Sequence, residues 1–207
     1  MKKLESSITN MVLVLVGIAL ITGSILAYVN HITEGPIKIQ AEKTLADGIK
    51  AVMGGVELTV AKDDTVRQTI KGKEVVFVIH KAVDANKQDL GCAIESTTGG
   101  FGGDLKVLVG FDVNGNILGY TLLQHAETPG LGAKADKWFQ KGEKGDIIGK
   151  NPANDNLTVS KDGGSIDAIT ASTITSRAFL LAVTQAYNAY KLLPNDGLTS
   201  ATAQLKQ

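Results

Sequence analysis

The chain is 207 residues long, and its 21 Lys and Arg are balanced by 21 Asp and Glu, for a formal net charge of +0. With that balance nothing suggests a polyanionic partner such as nucleic acid, and the length holds one folded domain plus attachments. A single cysteine, Cys92, and three scattered histidines, His31, His80 and His125, exclude an internal disulfide, a cysteine-built zinc or iron–sulfur site and a histidine cluster, so any redox chemistry calls for a bound organic cofactor.

Residues Met11–Val29 (MVLVLVGIALITGSILAYV) contain no charged side chain. About 19 residues form a helix of about 28 Å, close to the ~30 Å hydrocarbon core of a bilayer. A buried core helix would show a polar face, and this run shows none. A cleaved signal peptide would have a shorter apolar run, and Ile25 stands where cleavage after Ala27 wants a small residue. The stretch therefore reads as an uncleaved anchor. Lys2 and Lys3 precede it, partly offset by Glu5, while Glu34 comes before the first lysine beyond it, Lys38. The positive-inside bias puts the N-terminus in the cytoplasm and the following domain outside.

From Pro36 to Met53 the pattern predicts an amphipathic helix on Ala41, Leu45, Ile49 and Val52, with Pro36 in its first turn and Gly54-Gly55 as its stop. Short strands are expected at Val56–Val60, Thr65–Ile70, Glu74–His80 and Gly91–Glu95. His80 closes its strand and is expected at the surface, and Cys92 is expected to be a small buried residue. The glycine-dense run Thr97–Asp104 lacks the Lys-Ser/Thr of a P-loop and reads as a tight turn or a close backbone approach before a strand. Leu105–Val113 and Asn116–Gln124 then form a hairpin, for which Asn114-Gly115 predicts a type I′ turn.

After the hairpin, His125-Ala126-Glu127-Thr128-Pro129-Gly130-Leu131-Gly132-Ala133-Lys134 forms an ordered loop, followed by a short helix carrying Trp138 and Phe139. His125 and Glu127 suit an acid–base pair only weakly, for no nucleophile or metal ligand stands near them. Lys141–Ser165 is polar and loop-like. A helix follows from Ser176 to Leu193, stopped by Pro194, with a frayed tail to Gln207. Its lead, Asp167-Ala168-Ile169-Thr170-Ala171-Ser172-Thr173-Ile174-Thr175-Ser176, is crowded with hydroxyls. By itself this is an ordinary N-cap, or a place where free N–H groups and a helix dipole would accept a phosphate.

The hydroxyl run resembles the flavinylation motif of the FMN-binding domain family, Asp-x-x-Ser/Thr-Gly-Ala-Thr-x-Thr/Ser. Asp167 opens the motif, Thr170 starts its core, Thr173 takes the acceptor position, and Thr175 and Ser176 follow. Ala171 stands where Gly is usual and Ser172 where Ala is usual. The order of anchor, Gly-Gly-Phe-Gly-Gly turn, Asn-Gly hairpin, Glu-Thr-Pro-Gly-Leu-Gly loop and hydroxyl motif resembles the G-subunit family of Rnf-type ion-translocating electron transport complexes. The C-subunit family of the sodium-translocating NADH:quinone reductases is similar, but usually longer. Asp104 departs from the apolar residue or proline that often follows the glycines.

The resemblance implies an α+β fold: one N-terminal transmembrane helix, then a single FMN-binding domain with a mainly antiparallel sheet flanked by helices. Its expected boundaries are 1–30 for the anchor, 31–55 for a linker helix, 56–195 for the domain and 196–207 for the tail. It implies FMN joined to Thr173 through a phosphoester by a flavin transferase that uses FAD, with Asp167, Thr170, Ser172 and Thr175 around it. Glu127, Thr128, Gly130, Leu131 and Gly132 are expected to wall the ring, with Lys134 near it. The implied role is an electron relay in an ion-translocating ferredoxin/NAD oxidoreductase of a bacterial cytoplasmic membrane, partnered by the other membrane subunits and lipid, and no residue is expected to be catalytic. The alternatives are a membrane-anchored, non-redox binding domain and a stand-alone extracytoplasmic flavin reductase.

Overall fold

Five strands follow one another in sequence and in space: β1 (Thr59–Ile70), β2 (Lys73–Val83), β3 (Asp89–Gly99), β4 (Asp104–Phe111) and β5 (Ile117–Gln124). Each pairs antiparallel with the next, giving a meander of order β1-β2-β3-β4-β5. The computed structural model describes residues 7–55, 58–70, 72–85 and 87–193. The expected tail, Val56, Pro194 and the charges at Lys2, Lys3 and Glu5 lie outside them. Thr59–Ile70 is one continuous strand where the sequence pattern suggested two short pieces.

Before the sheet, α1 runs from Ile8 to Val52 without a break. It contains the apolar stretch and is long and apolar enough to cross a membrane. Pro36 lies inside it rather than opening a second helix. The proline removes one backbone donor, and helix-forming sequence on both sides carries the helix through. By its internal packing the chain divides between Thr44 and Leu45.

Strand alternation gives the sheet two different faces. On one face Phe77, Ile79, Cys92, Ile94, Val107, Val109 and Phe111 are buried under α3 (Thr173–Lys191) and the loops that lead to it. Fully burying a side chain of this size stabilises by about 1.5–3 kcal/mol. Phe179 of α3 stacks on Phe139 at 4.2 Å and meets Tyr120 edge-on at 4.7 Å. The Tyr120 hydroxyl donates to Ala135 O at 2.7 Å and accepts from Phe139 N at 3.1 Å, which fixes the short helix α2 (Ala135–Trp138) on β5. Burial of the Cys92 thiol, helped by Asp89, pushes its pKa up to about 12, so it is an inert core group as expected.

On the opposite face Ile49, Val52 and Met53, at and just beyond the end of α1, pack on Ala82, Ala93 and Leu108. Gly110 and Gly119 make this possible: a Cβ at Gly110 would lie 2.5 Å from Val52 O, and one at Gly119 3.0 Å from it. Further along the same face, His80 is buried, contrary to the surface position expected at the end of a strand. Strand β2 continues to Val83, so His80 is an inward-facing residue of a longer strand. Its Nδ1 lies 2.7 Å from Asp63 Oδ1 and its Nε2 2.9 Å from Glu95 Oε1, and Glu95 also pairs with Lys106. Four titratable side chains, Asp63, His80, Glu95 and Lys106, thus link four neighbouring strands. Burial alone would lower the His80 pKa, but its two carboxylate partners raise it overall. Burial alone would raise that of Glu95, but His80 and Lys106 hold it below the usual carboxylate value.

The β4–β5 hairpin forms where expected, with a different turn. Gly115 has φ 80°, whereas Asn114 has no positive φ, so the turn is not type I′. Instead Asp112 O accepts from Gly115 N at 3.0 Å, and the Asp112 carboxylate accepts from the N–H groups of Asn114 and Asn116, each at 2.8 Å. The side-chain acceptor closes a longer turn that needs only one left-handed residue.

Candidate functional site

At the other end of β4, three segments far apart in sequence converge: the Gly99–Asp104 turn, the Glu127–Gly132 loop and the start of α3. Gly100 N donates to Gly103 O at 2.8 Å, closing the turn and leaving Phe101 at its tip. Phe101 is 68% exposed, an unusual position for a large apolar ring. The turn is tied down by Glu127, whose Oε1 accepts from Phe101 N at 2.7 Å and more distantly from Gly102 N at 3.4 Å. Glu127 Oε2 accepts from the Thr175 hydroxyl at 2.7 Å. One buried carboxylate therefore joins turn, loop and helix. His125 is not its chemical partner; its Nδ1 only accepts from Glu127 N, at 3.3 Å. Gly132 is required beside this clamp, because a Cβ there would overlap Glu127 Oε2 and come within 2.7 Å of Thr175 Oγ1.

The helix begins at Thr173, three residues before the sequence pattern suggested. Ser172 occupies the N-cap position but makes no side-chain cap bond. The first ladder bond is Ser176 N to Ser172 O at 3.0 Å, so the N–H groups of Thr173, Ile174 and Thr175 lie outside the helical ladder. The turn ahead of the helix is held by Ser176, whose hydroxyl oxygen accepts from Ile169 N at 2.9 Å and whose O–H donates to Ser172 O at 3.0 Å. Ala171, in the position where the motif usually has glycine, adopts φ 61°. The left-handed turn is thus kept, with the strain that a Cβ brings there.

A cavity of about 380 Å³ opens over this junction, lined by Phe101, Glu127, Thr128, Leu131, Gly132 and residues 171–175. Of the expected site residues, Thr173, Ser172, Thr175, Glu127, Thr128, Leu131 and Gly132 line it. Gly130 instead borders a separate depression beside Trp138. Thr170 is exposed outside the cavity, and Asp167 braces neighbouring segments with backbone and side chain: its O accepts from Trp138 Nε1 at 2.8 Å, and its Oδ1 from the Ser160 hydroxyl at 3.3 Å. Phe101 and Ile174 also line the cavity, and sequence reasoning does not single them out. An exposed aromatic inside a glycine run is the available signal for the first.

The hydroxyls of the run are not equivalent. Thr175 is 1% exposed and committed to Glu127, Ser176 is 0% exposed and committed to the turn, and Ser172 is 8% exposed. Thr173 is half-buried and lines the cavity. The donors and walls fit FMN: free helix N–H groups suit a phosphate, and the exposed apolar side chains Phe101, Leu131 and Ile174 suit the faces of a flat ring.

Residues 100–188 match the family described as the FMN-binding domain. The chain is 32% identical over 196 residues to the G subunit of the ion-translocating oxidoreductase complex of Shewanella amazonensis, covering 88% of this chain and 87% of that one. It is 34% identical over 176 residues to the protein of the same name from Yersinia pestis, covering 81% and 83%. A solved structure, the C subunit of the Na(+)-translocating NADH-quinone reductase from Parabacteroides distasonis, aligns over 77% of this chain and 97% of that chain with a TM-score of 0.49 and 19% identity. With its FMN-binding domain and its similarity to the Shewanella and Yersinia proteins over most of their length, the chain belongs to the family of ion-translocating oxidoreductase complex G subunits.

Proposed function

We propose that this chain carries FMN as a phosphoester on Thr173 and relays electrons within a membrane-bound, ion-translocating oxidoreductase complex. The observation that carries the attachment site is the unequal availability of neighbouring hydroxyls: of those in the run Thr170–Ser176, Thr173 alone both lines the cavity and is more than marginally exposed. Thr173 fixes the phosphate at the start of α3, where the helix dipole and the N–H groups of residues 173–175 favour negative charge by about 0.3–1 kcal/mol. Phe101, Leu131 and Ile174 cover apolar ring surface and exclude water. Glu127 stays clear of the chemistry and holds the walls in place. When bound, FMN supplies the redox chemistry, and the protein supplies position and electrostatics.

Covalent attachment solves a retention problem, because a domain outside the cytoplasm cannot hold a dissociating cofactor by mass action where free FMN is scarce. In this reading the Met11–Val29 stretch crosses the cytoplasmic membrane, in contact with lipid and with other subunits, and the flavin domain stands on the outer face. A flavin transferase acting on FAD completes the site. The test is peptide mapping of full-length chain produced with and without such a transferase. An FMN mass on the Thr173 peptide is expected only with it, lost in Thr173→Ala, partly kept in Thr173→Ser and unaffected in Ser172→Ala. An FMN mass that persists in Thr173→Ala would overturn the site, and its absence from the wild type would overturn the covalent reading. Protease protection of the domain in spheroplasts would overturn the orientation.

A further inference from the structure

We propose that Lys161 is the cation that faces the phosphate on Thr173, an inference that rests on Thr173 as the attachment site. Lys161 belongs to a 3₁₀ turn, Ser160–Asp162, in the loop just before the motif. The loop is closed on itself: Ser160 N donates to Ile166 O at 2.8 Å, Ile166 N to Thr158 O at 3.1 Å and Gly164 N to Val159 O at 3.2 Å. Its far side is bolted to α3 by a fork in which Arg177 Nε and Nη2 donate to the two Asp162 carboxylate oxygens at 2.6 and 2.7 Å.

Thr173 and Arg177 are four residues apart, so they lie one above the other on the same face of α3. Adjacent loop residues meet these two helix positions. Asp162 takes Arg177, and Lys161 takes Thr173, with its Nζ donating to Thr173 Oγ1 at 3.5 Å. The fork thus sets where the lysine stands, and it also pairs off the carboxylate of the adjacent Asp162, which would otherwise compete for the ammonium.

The chemistry follows from charge. On transfer from FAD, the bond between Thr173 Oγ and the flavin-side phosphorus forms and the pyrophosphate P–O bond breaks. AMP leaves with that electron pair, and the hydroxyl proton passes to the medium. The product is a phosphodiester with one negative charge directly attached to the oxygen that Lys161 already contacts. The helix N-terminus offers partial positive charge from one side, and Lys161 offers a full charge from the loop side.

The test uses full-length chain made without flavin transferase, held in detergent and incubated with purified transferase and FAD. The rate of FMN mass gain on the Thr173 peptide is compared for wild type, Lys161→Arg, Lys161→Gln and Lys161→Glu. Lys161 is exposed, so the variants are expected to keep the fold, and circular dichroism checks that they do. Arginine should stay near wild type, glutamine should be about threefold slower and glutamate about tenfold slower. On protein already loaded, the 31P resonance of the phosphodiester should move in Lys161→Gln and return in Lys161→Arg, which a merely structural role would not produce. Unchanged rates together with an unchanged 31P resonance overturn the role of Lys161 while leaving Thr173 in place. A wild-type chain without FMN on Thr173 overturns both.

Discussion

The two ends of β4 carry turns of different make-up, glycine-rich at Gly99–Asp104 and Asp/Asn-rich at Asp112–Asn116, and they are closed in opposite ways. At the Asp112–Asn116 end, the carboxylate that organises the turn comes from the turn itself, and its bonds reach at most four residues. At the Gly99–Asp104 end the organising carboxylate is Glu127, 26 residues after the Phe101 N–H it holds and 48 before the Thr175 hydroxyl. The first turn connects strands. The second assembles a cavity, because closing it draws a loop and a helix start to the same point.

The contrast is sharpest in a matched pair of substitutions. Glu127→Ala leaves three buried or half-buried donors without this acceptor and should cost about 3 kcal/mol in urea unfolding, with FMN attachment falling steeply. Asp112→Ala removes bonds at an only partly buried turn, where water can replace them, and should cost about 1 kcal/mol, with attachment unchanged. Equal losses of stability and labelling in the two variants would erase the distinction between the ends.

Next in size comes a pair of glycines in one loop. Gly132→Val drives a side chain into the Glu127–Thr175 contact and should cost about 2 kcal/mol while shifting the visible spectrum of loaded protein. Gly130→Val meets open space and suffers only from φ 76°, so about 1 kcal/mol and an unchanged spectrum are expected. A spectral shift in both variants would show that the flavin extends to the Gly130 side. Smaller still, Ala171→Gly should raise stability by up to about 1 kcal/mol, the left-handed strain relieved less the chain entropy added. A lower unfolding midpoint would show that the Ala171 Cβ is held by favourable packing.

The same local-versus-distant distinction explains what the sequence discloses. The hairpin, the buried Cys92, the short helix at Trp138 and the hydroxyl run at a helix start all follow from neighbouring residues. Glu127 is recognisable as a member of a motif, but its work as a clamp depends on partners that no spacing rule connects. Lys161 sits in a loop without periodicity, and only the Arg177–Asp162 fork brings it to Thr173. His80 reads as a surface residue only if its strand ends there; a strand that continues to Val83 turns a rim position into an interior one.

That buried histidine also makes folding a proton-coupled event. With its folded pKa raised, His80 contributes stability that is complete below its unfolded value near 6.5 and disappears as pH rises through the folded value. Glu95, with its folded pKa lowered, contributes stability that is complete above its unfolded value near 4.5 and disappears as pH falls through the folded one. The two ranges overlap between about pH 4.5 and 6.5, where the link across β1 to β4 is strongest. Above that window the unfolding midpoint should decline with pH, and His80→Gln should flatten the decline. Between about pH 6.5 and the folded His80 value, unfolding the domain would release the proton that His80 holds, and below about pH 4.5 it would take one up at Glu95.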